Sequence, residues 1–177
     1  SRGLGDVYKR QGLGYTDRVP GIATGAFATT GDSPQAQAKM LREAAGILGI
    51  TDPIVAGHSF GGIVSLAWAV AGLDENLPQN ARAITSFAGV SMPWPGDLGT
   101  YYNVNGSALG GAFVIPLIAS IASDTQIDNV IDSVFAPQPS PSGYAAHVGA
   151  RLTLRINNFR ANVRQVNTLY PNVVELK

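Results

Sequence analysis

Ser59 is the residue in this chain whose type and setting could carry covalent chemistry. It stands in Pro53-Ile54-Val55-Ala56-Gly57-His58-Ser59-Phe60-Gly61-Gly62, where a β-branched run meets a G-x-S-x-G turn and passes into the apolar stretch 63–71. Strand, sharp turn and helix in that order make a nucleophile elbow. Gly57 and Gly61 are expected to flank the serine because so tight a turn brings backbone too close for side chains. The hydroxyl is then left alone at the tip. The chemistry would be acyl transfer, with the serine oxygen attacking a carbonyl carbon. Negative charge developing on the carbonyl oxygen would face the helix N-terminus, with the Phe60 N–H as one oxyanion donor.

A serine hydroxyl is a poor nucleophile until a histidine takes its proton and a carboxylate orients that histidine. The chain holds two histidines. His58 adjoins Ser59 on the elbow and is expected to project elsewhere, packing against a neighbouring strand. His147 lies far downstream, shortly before an amphipathic stretch, and suits a pocket wall better than a base. Asp97 follows the strand after the elbow but sits in the Pro/Gly-rich run that begins Met92-Pro93-Trp94-Pro95-Gly96.

The elements that must hold Ser59 in place are legible around it. Ser33 is a helix N-cap with Pro34 at the first helical position, and Met40, Leu41, Ala44, Ala45 and Leu48 form a helical stripe that Gly49 ends. A strand runs to Gly57, and the elbow helix, apolar on nearly every side, ends near Gly72. A loop from Asp74 to Asn80 returns the chain to a second strand, 83–88, which pairs parallel to the first. Further on, Leu152, Ile156, Phe159, Val163, Val166 and Tyr170 recur at steps of three and four. Arg151, Arg155, Arg160 and Arg164 lie largely elsewhere on that wheel and read as a solvated charged face, with an anionic substrate or membrane as the alternative partner of that face.

On these segments the chain resembles the α/β-hydrolase superfamily from Gly12 onward. The elbow is the specific motif. Gly12-Leu13-Gly14-Tyr15-Thr16-Asp17-Arg18 looks like the glycine-containing loop such enzymes carry after an early strand, and the helical segment from Pro93 resembles the cap that many of them insert over the active site. The resemblance implies an α/β fold: a partial parallel-sheet α/β-hydrolase core at 12–92 and a mostly helical cap at 93–170, with 171–177 approaching a next core strand. It also implies a serine-dependent hydrolase of esters, thioesters or activated C–C bonds, whose partners follow the serine in the order acid, then histidine, with the histidine after the last core strands, so that acid and base are both expected beyond Lys177. Trp94, Phe113 and His147 are the candidate pocket residues, for a small-molecule substrate with an apolar group. A non-catalytic binding or scaffold member that lacks the acid or the histidine is the competing reading, and a peroxide-forming relative is a third.

Asp6-Val7-Tyr8-Lys9-Arg10-Gln11 back-translates to a sequence resembling a transposase end used to tag DNA libraries, so residues 1–11 are read as translated adapter and set aside from fold reasoning. With that, the chain reads as a fragment. At 177 residues, 45% hydrophobic and 14% charged, it suits one globular unit. A formal charge of zero argues against nucleic acid as a partner. The absence of cysteine excludes thiolate nucleophiles, disulfides and cysteine metal sites, and two histidines do not make a histidine-rich metal site. No cofactor is expected. The longest low-polarity run, 108–122, contains Pro116 and is short of the roughly 20 residues a transmembrane helix needs, so it reads as a cap helix or pocket wall. Asn105-Gly106-Ser107 matches a glycosylation sequon.

Overall fold

The computed structural model describes residues 13, 14, 16, 18, 25–27, 33–74, 76–96 and 99–176. Residues 1–11, Gly12, Tyr15 and Asp17 of the early glycine loop, Asp97 and Lys177 lie outside the described residues.

The first helix, α1 (Pro34–Ile47), starts where its cap predicts. The Ser33 side chain accepts from the Ala36 N–H at 3.1 Å, and Pro34 occupies the first turn. The helix stops at Leu48, followed by Gly49 at φ +69°. Its buried side, however, is Pro34, Gln37, Ala38, Arg42 and Ala45. The apolar stripe read from the sequence is rotated: Leu48 is exposed, and the polar Gln37 and Arg42 face inward. Arg42 is tolerated there because its guanidinium donates to Asn80 Oδ1 at 3.0 Å. Ser33→Ala should cost about 1 kcal/mol, read as a lower denaturation midpoint with unchanged m.

Strand β1 (Ile54–His58), helix α2 (Phe60–Asp74) and strand β2 (Ala83–Phe87) follow, and the strands pair parallel with Ile54 opposite Ala83 and His58 opposite Phe87. The return loop is clamped on both sides. Trp68 Nε1 donates to Gln79 O at 2.8 Å, and Asn80 Nδ2 donates to Gly72 O at 3.2 Å. Phe60, Ile63, Val64, Ala67 and Trp68 of α2 form the main core with Ala38 and Ala45 of α1. This is the expected β-α-β core of the α/β class, and the rest of the described chain is helical.

The sheet is covered on one face. The strand period places Val55, Gly57, Ile84 and Ser86 toward α2, and leaves Ile54, Ala56, His58, Ala83, Thr85 and Phe87 exposed on the other. His58 thus lies on an open surface rather than packed, and Ile54 and Phe87 remain 66% and 58% exposed. Parallel sheets are normally apolar on both faces because both are covered. The 177-residue chain on its own should therefore self-associate as its concentration rises, visible as growing mass in light scattering. A concentration-independent monomer with a cooperative melt would contradict this.

The helical remainder comprises α3 (Gly99–Gly106), a π-helical turn (Gly110–Val114), α4 (Ile115–Ile121), α5 (Asp124–Phe135), α6 (Tyr144–Val148), α7 (Ala150–Thr153), α8 (Ile156–Asn167) and α9 (Leu169–Glu175). The long amphipathic stretch is thus three helices, broken at Leu154-Arg155 and at Thr168. Residues 171–175 are helical, not extended toward a strand. Ser123 and Gln126 form a capping box at the start of α5, a signal the sequence carried unread. Phe135 and Tyr144 meet edge to face at 4.9 Å and close the proline-rich connector between α5 and α6.

The helical part joins the sheet part through α9, whose Leu169 and Val173 enter the same core as Phe60 and Ile63. A second core, Ile115, Phe159 and Val163, ties α4 to α8. Among the described residues no single helix is long and apolar enough to cross a membrane, and α3 meets the stretch Gly110–Ile121, which takes up most of the low-polarity run, in a bend of 87°. The sequon residue Asn105 is buried, its side-chain amide donating to Tyr101 O at 2.8 Å, which makes it a structural residue of α3.

Candidate active site

Ser59 occupies the single turn residue between β1 and α2, with φ +53°. A left-handed φ is strained for a residue with a Cβ, and it persists here because the turn is held from both sides. The Ser59 N–H donates to Phe87 O at 3.0 Å, continuing the ladder to β2, while its own carbonyl accepts from the Gly62 N–H at 2.9 Å inside the first turn of α2. The side chain is exposed at the carboxyl end of the parallel strands, where open α/β sheets bind ligands.

The glycines divide their work differently from the expected pattern. A Cβ on Gly57 would lie 2.0 Å from Gly61 O and 2.3 Å from Gly61 C, so the strand and the helix backbone touch there and glycine is required. A Cβ on Gly61 meets nothing within 4 Å. The second close approach falls instead on Gly62, whose added Cβ would sit 2.5 Å from Ser86 Oγ and 2.6 Å from Gly89 Cα. Gly61 thus contributes its backbone to the contact with Gly57, while Gly62 lets α2 lie against the segment that leaves β2. That segment also turns sharply, with Ala88 at φ +46°.

Phe60 places its ring in the core at 3% exposure, which anchors the first residue of α2 directly after Ser59. The N-terminus of this 15-residue helix therefore faces the serine, and its dipole favours negative charge there.

The other candidate residues are not gathered at Ser59. His58 precedes it on the open sheet face. His147 is exposed near the end of the short α6. Trp94 packs against the main core and meets Tyr170 edge to face at 5.1 Å, while Phe113 is 67% exposed on the π-helical turn. Among the described residues, no side chain hydrogen-bonds to the Ser59 hydroxyl, and no cluster of histidine and acidic residues could hold a metal ion.

Sequence reading missed the polar face of α8. Arg164 is 2% exposed, not solvated, and its Nη2 donates to Gly25 O at 2.9 Å and Ala26 O at 3.3 Å. Arg160 donates from Nε to Gly111 O at 2.6 Å, and Asn158 donates to Gly14 O at 3.0 Å. Helix α8 thus holds the early loop and the π-helical turn through their carbonyls. The i, i+4 spacing of the two arginines was the available signal, but spacing alone does not tell a clamp from a solvated face.

No family model matches the chain, and no curated protein matches it. Among solved structures it is similar to an alpha/beta hydrolase fold protein from Nakamurella multipartita, at 20% identity and a TM-score of 0.39, over 94% of this chain. The chain spans 55% of the length of that protein.

Proposed function

We propose that Ser59 is the nucleophile of a serine hydrolase that cleaves an ester-like bond through an acyl-enzyme, with the Phe60 N–H donating to the oxyanion. The observation that carries this reading is the strained turn. A serine at φ +53° between a parallel strand and a helix N-terminus, kept in place by backbone contact at Gly57, has its hydroxyl exposed where an incoming carbonyl can reach it. The attack and the charge it creates are then served by one short segment, 57–62.

The acid and the base come, in this proposal, from outside these 177 residues. Neither histidine packs against Ser59, and a hydrolase of this type needs one that does. Trp94 and Phe113 supply apolar surface suited to an acyl or alcohol group, and His147 a polar wall. The segment 12–92 serves as core and 93–170 as cap.

A hydroxyl that no side chain among the described residues meets also favours a second reading, a binding or scaffold protein that keeps the fold without the chemistry. A fluorophosphonate probe on the full-length protein separates the two. An activated serine is labelled at Ser59, and an idle one stays unmodified under conditions that label a reference hydrolase.

A further inference from the structure

Helix α8 carries a second concentration of chemistry, independent of the reading of Ser59. Arg160 and Arg164 lie one turn apart on the same face. Arg18 lies close enough that its charge, like that of Arg160, acts on Arg164. Burial and these two like charges push the Arg164 pKa down to about 10, which still leaves a cation at neutral pH.

The hydrogen bonds of Arg164 are half used. Nη2 is spent on the carbonyls of Gly25 and Ala26, but Nη1 is buried with no hydrogen-bond partner. Among the described residues no carboxylate pairs with it, and the two charges that act on it, Arg18 and Arg160, are both positive. A buried guanidinium nitrogen without a partner is costly, and each added positive charge raises that cost. An anion placed between the guanidinium groups reverses both terms at once, by accepting from Nη1 and neutralising the repulsion.

The surrounding backbone is built to approach this point. Gly111, in the π-helical turn, has no room for a side chain: a Cβ there would lie 2.7 Å from Ala26 O and 3.5 Å from Arg164 Nη2. Its carbonyl in turn holds Arg160 by Nε. π-Helical turns inside α-helices occur often at functional sites, because the extra residue re-aims backbone groups. Arg160 is partly exposed, so its side of the cluster meets solvent, while Arg164 Nη1 lies buried behind it.

We propose that Arg160 and Arg164 form an oxyanion-binding site between α8, the π-helical turn and the segment 25–27, taking the phosphate or carboxylate group of a small anionic ligand. The buried guanidinium fork of Arg164 is the centre of the site and Arg160 its solvent side.

Thermal melts and isothermal titration of the purified protein, at constant ionic strength, test this with inorganic phosphate and acetate against chloride. The expected result is a saturable rise in melting temperature and measurable heat with phosphate, acetate or both, and none with chloride. Phosphate alone identifies a phosphate-ester ligand, and an equal response to acetate identifies a carboxylate. Arg160→Gln is expected to weaken binding by about tenfold or more, the loss of one charge-assisted hydrogen bond. Arg164→Lys, which keeps the charge but loses the fork, should abolish it. If Arg164→Lys does not fold, the wild-type titration and Arg160→Gln decide the matter. No response beyond chloride, or unchanged phosphate binding by Arg160→Gln, overturns the proposal.

Discussion

Under the proposed acyl-enzyme mechanism, Ser59→Ala is expected to lower kcat of the full-length protein by on the order of 10⁴- to 10⁶-fold, and to remove fluorophosphonate labelling. The fold should be unchanged, and the reason is local. Alanine keeps the Cβ, so the strain of the left-handed φ is the same in both proteins. The hydroxyl it removes is exposed and, among the described residues, bonded to no side chain, so no buried partner is orphaned. Far-ultraviolet circular dichroism and the melting temperature should therefore match the wild type while activity is lost. Hydrolysis at the wild-type rate by this variant would sink the assignment of the nucleophile.

Gly57→Ala should damage the fold itself, by about 3 kcal/mol or more, the range of severe core overpacking. Its φ is not in the left-handed region, so alanine meets no conformational objection. The obstacle is a Cβ 2.0 Å from the Gly61 carbonyl oxygen, and both neighbours are backbone, which cannot rotate away as a side chain can. The strand and the helix must separate, and Ser59 lies in the turn that joins them. Gly61→Ala is the matched control. With open space around its Cβ and a helical backbone, it should gain about 0.5–1 kcal/mol from helix propensity. Chemical denaturation of the two variants side by side reads the difference, and equal destabilisation would refute this division of roles. The motif treats the two glycines as equivalent, while the packing makes only the first indispensable.

The α1 cap, the strand-turn-helix around Ser59 and the parallel pairing of 54–58 with 83–87 were all legible in the sequence. Each depends on neighbours in the chain: a serine beside a proline for the cap, glycines and a β-branched run for the turn, and the β-α-β order for the pairing. What the sequence left hidden lies where distant segments meet. Arg160 and Arg164 have the spacing of a solvated face, and they became a buried clamp only because carbonyls 49, 138 and 139 positions away fold onto them. Gly61 and Gly62 look alike in the motif, and only the position of Gly89 decides which of them must lack a side chain.

By itself, then, the sequence determined the local geometry that exposes a serine at the end of a strand, since short-range sterics and capping dictate that turn. Only the tertiary structure decided which face of the sheet is covered, which glycine is indispensable and which charges are buried. Those depend on which backbone from elsewhere arrives beside a residue, and no periodicity along the chain encodes that.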